Sequence, residues 1–104
     1  MILIVYATIK KYLDDNKCNQ TVRDAFENWR RVIEATDFAN LSQLKKVFGS
    51  VDYVGNDRYV FNIVGGHYRL IVMIHFRVRT VYVLFVGTHP EYNKVDAPNV
   101  SYKK

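Results

Sequence analysis

Near the end of the chain, Gly87-Thr-His-Pro-Glu-Tyr-Asn-Lys94 brings a histidine, a tyrosine and a lysine within six positions. Imidazole titrates near neutrality and suits acid or base work, and an ammonium group holds anions. Thr88 adds a hydroxyl able to meet a phosphate oxygen. Upstream, Arg69 offers a planar guanidinium that matches two phosphate oxygens at once. Singly, each has a structural explanation: Tyr92 is one of eight tyrosines, His89 fits a turn, and Lys94 fits a solvated surface. Together they describe a site directed at phosphate. Cys18 is the only cysteine, which excludes an internal disulfide and a multi-cysteine zinc site. His67, His75 and His89 lie on separate segments with no pair three or four apart, so no metal site is expected.

The distribution of charge agrees with an anionic partner. Residues 1–57 carry eight basic and eight acidic side chains, whereas residues 58–104 carry seven basic and only two acidic. The whole net charge of +5 therefore belongs to the C-terminal part, as expected of a nucleic-acid binder.

The elements that position these residues follow from periodicity. At 104 residues, 49% apolar and 24% charged, the chain has the composition of one compact domain covering residues 1–104. Its apolar runs fall far short of the roughly 20 residues that span a bilayer. The apolar start lacks a basic region before it and a cleavage site after it. A soluble, cytoplasmic protein is expected. Residues 2–6 read as a strand and 7–15 as a short helix. Val22, Phe26, Trp29 and Ile33 form the stripe of an amphipathic helix over 20–35, with Thr21 as its expected N-cap. Leu41, Leu44, Val47 and Phe48 mark a further helix, capped by Asn40 and stopped by Gly49.

After Ser50 the period falls from near 3.6 to near 2. Strands are expected at 51–54, 58–64, 67–77 and 80–86, with tight turns at Gly65-Gly66 and around Val78. The fold class is α+β, with helices on one face of a mostly antiparallel twisted sheet. Tyr68, Leu70, Val72, Ile74 and Phe76 must face the helices. His67, Arg69, His75 and Arg77 share the other face with Ile71 and Met73, leaving a half-polar surface able to line a groove. Two tight hairpins would set Asn62 opposite Arg69, Arg69 opposite Gly87 and His67 opposite His89. His75, some 20 Å along the strand, falls outside that patch.

Two segments carry a family resemblance. Val60-Phe-Asn-Ile-Val-Gly-Gly-His-Tyr-Arg-Leu-Ile-Val72 and Phe85-Val-Gly-Thr-His-Pro-Glu-Tyr-Asn-Lys-Val-Asp-Ala97 resemble the C-terminal signature of the HigB-type toxins. These belong to the RelE/ParE group of toxin–antitoxin modules, and the strand–helix–helix layout before the motifs is similar too. The resemblance implies a RelE-like fold and an mRNA interferase that cuts messenger RNA in the A site of the 70S ribosome, against 16S rRNA. It also implies neutralisation by a HigA-type antitoxin, in a hetero-oligomeric complex that binds DNA through the antitoxin. Chemistry in the group needs no metal or cofactor. The 2′-hydroxyl attacks the neighbouring phosphate, giving a cyclic phosphate and a 5′-hydroxyl end.

By position, the resemblance makes Arg69 the residue that meets the scissile phosphate and His89 the main proton-transfer group. Tyr92 stacks on a base or shares proton transfer. Asn62, His67, Arg77, Thr88 and Lys94 are the expected RNA and phosphate contacts. The chain departs from the group at Val60 and Asn62, where RelE carries lysines, and at Val64, Gly66 and His67 around the turn. His67 is the candidate to substitute for the missing bases. Two other classes share features of this sequence: a non-enzymatic ParE-like toxin acting on DNA gyrase, and an RNA- or ribosome-binding module without chemistry. The tail Ser101-Tyr-Lys-Lys104 is expected to touch ribosomal RNA or to fray.

Overall fold

A computed structural model describes residues 1–101. The expected contacts of Tyr102, Lys103 and Lys104 with RNA lie outside the described residues.

The chain opens with strand β1 (Ile2–Ile4), then α1 (Ala7–Asp15), α2 (Gln20–Ala35) and α3 (Leu41–Val47). Four strands follow: β2 (Asp52–Gly55), β3 (Arg58–Ile63), β4 (Tyr68–His75) and β5 (Thr80–Thr88). A four-residue helix, α4 (His89–Tyr92), and a 3-10 turn at Ala97–Asn99 complete it. The sheet order is β1-β5-β4-β3-β2, antiparallel except for the parallel β1–β5 pair at one edge. This is the α+β arrangement expected from the sequence.

Helix α2 forms as its stripe requires: Val22, Phe26, Trp29 and Ile33 are its buried residues. They pack with Phe61, Leu70, Val72 and Ile74 of the sheet, and Trp29 meets Phe61 edge-on at 5.4 Å. Its start differs from expectation. Asn19, not Thr21, is the N-cap, its side-chain oxygen accepting from the Val22 N–H at 3.0 Å. Asn40 caps α3 as expected, accepting from the Gln43 N–H.

The opposite face of the sheet is not the open surface that alternation suggests. Val60 and Ile71 are buried under a second, smaller core made with Phe85, Tyr92, Val95, Ala97 and Val100. The segment after β5 thus folds back over the sheet. Arg58 holds its end by donating to the Val100 carbonyl through Nη2 at 2.9 Å.

The two turns set the register. In the β3–β4 turn, Gly65 and Gly66 have φ of 61° and 90°, and the His67 N–H donates to the Val64 carbonyl at 3.1 Å. This is the two-residue loop that glycine at both central positions favours. The second turn is not the symmetric hairpin expected around Val78. Strand β4 stops at His75, and Phe76–Val78 forms a 3-10 turn with Arg79 left-handed, pairing His75 with Thr80. A β-bulge then slips the ladder: Val72 faces Val83, yet Ile71 faces Phe85, and Leu84 is the extra residue. Beyond it Arg69 lies opposite Gly87, as expected but for a different reason.

Candidate active site

At one end of the sheet, β3, β4 and β5 bring Asn62, Arg69 and Gly87 into one row. One step further, the His89 N–H donates to the His67 carbonyl at 3.1 Å, joining the two histidine-bearing corners. Between the Gly65-Gly66 turn and the start of α4 lies an open cleft of about 750 Å³, bordered by Arg69, His67, Thr88 and His89, with Val22 of α2 at its side.

Arg69 is half-buried beside this cleft, its guanidinium carbon 5.7 Å from the centre of the Tyr92 ring. Its Nε is enclosed and has no hydrogen-bond acceptor among the described residues. None of the ion pairs among the described residues includes it. Leaving a buried donor unmatched costs about 1–3 kcal/mol, more when charged. The guanidinium also lies against Gly66, where an added Cβ would stand 3.8 Å from Nη2.

Tyr92, expected to stack on a base, is half-buried. Its ring is part of the second core, with Arg69 over it, so it supports the guanidinium from beneath.

Helix α4 is short and depends on its cap. The Thr88 hydroxyl accepts from the Glu91 N–H and donates to Glu91 Oε1 at 3.0 Å, so it is occupied within the protein. Glu91 Oε1 also accepts from the Thr88 N–H at 2.9 Å and from the Tyr12 hydroxyl at 2.8 Å. The corner carrying His89 is therefore tethered to α1. These donors, the Thr88 N–H foremost and then Tyr12, hold the Glu91 carboxyl below its usual pKa of 4.5. Burial, followed by the bond to Glu91, pushes the Tyr12 hydroxyl well above its ordinary value. A depressed carboxylate contributes stability that is complete above the unfolded-state pKa and lost as pH falls through the folded one. Amide-exchange protection at Thr88 and Glu91 is expected to stay level from neutral pH down to the ordinary glutamate range. It should fall only below that range.

His89, the first residue of α4, is exposed at the cleft, and its Nδ1 lies 3.2 Å from the Asn93 amide nitrogen. With that amide donating, the neutral ring carries its proton on Nε2. Gly87 has a steric role. A Cβ there would sit 2.7 Å from Phe85 Cζ and 3.2 Å from Glu91 Cβ. Gly87→Ala is expected to destabilise the protein by ~1–3 kcal/mol and to displace α4, as urea unfolding would show.

Two expected residues fall elsewhere. Arg77 is exposed in the 3-10 turn beyond the far end of β4, past the six residues, or about 20 Å of strand, that separate Arg69 from His75. Lys94, also exposed, lines a separate groove between α1 and the C-terminal segment. Conversely, Glu91, Asn93 and Tyr12 join the site without having been singled out. Thr88-x-x-Glu91 has the spacing of a capping box and was open to recognition. Nothing local marks Tyr12. Among the described residues, no three His, Cys, Asp or Glu side chains converge to hold a metal. Nor is any helix of these residues long and apolar enough to cross a membrane.

Residues 22–95, from α2 through α4 and so including the whole row of site residues, match the HigB toxin family model, described as the RelE-like toxic component of a toxin–antitoxin system. The chain belongs to the HigB toxin family. It is 30% identical over 73 residues to the mRNA interferase HigB of Escherichia coli O6:H1, an alignment covering 68% of this chain and 71% of that protein. As a HigB-family protein it is a RelE-like toxin, and an antitoxin is its partner.

Proposed function

We propose that this toxin is a ribosome-dependent mRNA interferase, cutting translated messenger RNA in the A site and neutralised by a HigA-type antitoxin. The observation that carries the reading is the unpaired Arg69 guanidinium in the wall of the cleft that His89 borders. The E. coli relative's description as an mRNA interferase supports it. Cleavage by the 2′-hydroxyl needs a base, an acid for the leaving 5′-oxygen and positive charge on the pentavalent phosphorus. Arg69 binds the phosphate through its planar fork and holds the charge that builds up on the non-bridging oxygens. His89 is the acid: as the imidazolium, protonated on both ring nitrogens, it gives its Nε2 proton to the leaving oxygen and returns to the neutral ring that accepts at Nδ1 from Asn93. His67, exposed on the joined corner, takes the proton of the 2′-hydroxyl. Asn62, next to Arg69 across the ladder, offers an amide to the same phosphate or its ribose. Tyr92 positions Arg69, and Thr88 positions the helix of His89. Lys94 adds charge toward ribosomal RNA away from the reacting atoms.

The test is a short pulse of expression with mapping of RNA ends bearing 5′-hydroxyls, in wild type and His89→Ala. Cuts in frame within coding regions that vanish in the variant would support the reading. Growth arrest without new RNA ends would overturn it and direct attention to gyrase.

A further inference from the structure

The C-terminal segment covers only part of the sheet face that lies away from the helices. Toward the β4–β5 turn a region remains uncovered by it. One row there runs Ile4, Tyr82, Met73 and Arg58, and the next runs Ile2, the buried Thr80 and His75, so that the open positions are the isoleucines of β1 at its edge. Ile2 is 61% exposed, Ile4 37%, and Val78 in the adjoining turn 60%. Ile2 and Ile4 stand two apart on one face of β1, so their exposure is contiguous and not scattered.

The rim of this region is basic. Arg77 and Arg79 are exposed in the turn, the Arg79 guanidinium donating to Asp37 at 3.3 Å. His75 stands within the row, its ring edge-on to Tyr82 at 5.9 Å and its Nδ1 3.9 Å from Asp57.

We propose that this uncovered sheet face is where the antitoxin docks, through an acidic segment that places aliphatic side chains on Ile2, Ile4 and Val78. Charge selects that occupant: the net +5 of the chain belongs to residues 58–104, and Arg77 and Arg79 contribute to it beside an apolar surface. RNA is the poorer fit. Phosphate contacts come from cations and hydrogen-bond donors and gain nothing from exposed isoleucine and valine, whereas protein interfaces pair an apolar centre with a polar rim. The face also explains Arg77, which the cleft leaves unused. His75 and Arg69 are six residues apart on β4, roughly 20 Å, so variants here separate antitoxin binding from the chemistry of the cleft.

The proposal rests on membership of the toxin–antitoxin family and not on the nuclease reading. Calorimetric titration of the purified toxin with the antitoxin of the same system tests it directly, using Ile2→Glu/Val78→Glu and Arg77→Glu. The double variant is expected to bind about tenfold or more weakly and to arrest growth despite co-expressed antitoxin. Arg77→Glu is expected to weaken binding and to flatten its dependence on salt. Should the double variant fail to fold, as thermal unfolding would show, Arg77→Glu decides alone, since its side chain is exposed in a turn. Wild-type affinity in the folded variants overturns the proposal. So does undiminished antitoxin binding combined with loss of ribosome association, which would assign the face to RNA. A toxin that arrests growth without cutting RNA would fail the nuclease reading and leave the titration result standing.

Discussion

Arg69→Ala is expected to slow RNA cleavage by ~10²–10³-fold, the usual loss when one preorganised donor to a developing oxyanion is removed. Arg69→Lys should recover only part of this. An ammonium restores the charge but not the fork that meets two phosphate oxygens together. Stability should move the other way. The Arg69 Nε is enclosed without an acceptor, so the folded protein carries a cost that alanine or methionine relieves. A variant that unfolds at the same or higher urea concentration while losing activity would identify the guanidinium as kept for substrate. Loss of both together would show that Arg69 is structural. Single-turnover cleavage on programmed ribosomes, beside urea unfolding of the same samples, makes the comparison.

His89→Ala is expected to cost ~10²–10⁴-fold in the cleavage step, the range for a positioned proton-transfer group. Binding should hardly change, because Arg69 and its Tyr92 support are untouched. Substrate carrying a 2′-deoxy sugar at the cut cannot react and reads binding alone. Affinity for it should stay within about threefold of wild type, well under the 1.4 kcal/mol that tenfold represents. A fall in affinity equal to the fall in rate would make His89 a binding residue and leave the acid unassigned.

Much of this arrangement is legible in the sequence where one periodicity dominates. The α2 stripe shows because Val22, Phe26, Trp29 and Ile33 all turn toward a single sheet. The Gly65-Gly66 turn shows because both of its central residues need positive φ. Asn19 hides behind Thr21 because both residue types cap helices and lie two positions apart. The second core has no periodic signature. Tyr92 sits on a four-residue helix and Ala97 on a 3-10 turn, with Val95 between them and Val100 just after, pieces too short for a repeat to emerge. For that reason the far sheet face reads as open, and the packing of Tyr92 beneath Arg69 goes unseen. The bond between Tyr12 and Glu91 joins residues 79 apart, and neither end announces the other.

The extra residue at Leu84 bears on how such a protein tolerates change. Without the bulge, the pairing set by the β4–β5 turn would put Val86 across from Arg69 and rotate Gly87 toward the helices. With it, the turn and the reactive end of β5 are decoupled, and one absorbs a length difference that the other never senses. Removing Leu84 should yield an unbroken ladder with Gly87 still beside Arg69. The spacing between turn and site can therefore drift by a residue among descendants of this chain while the reactive end keeps its phase.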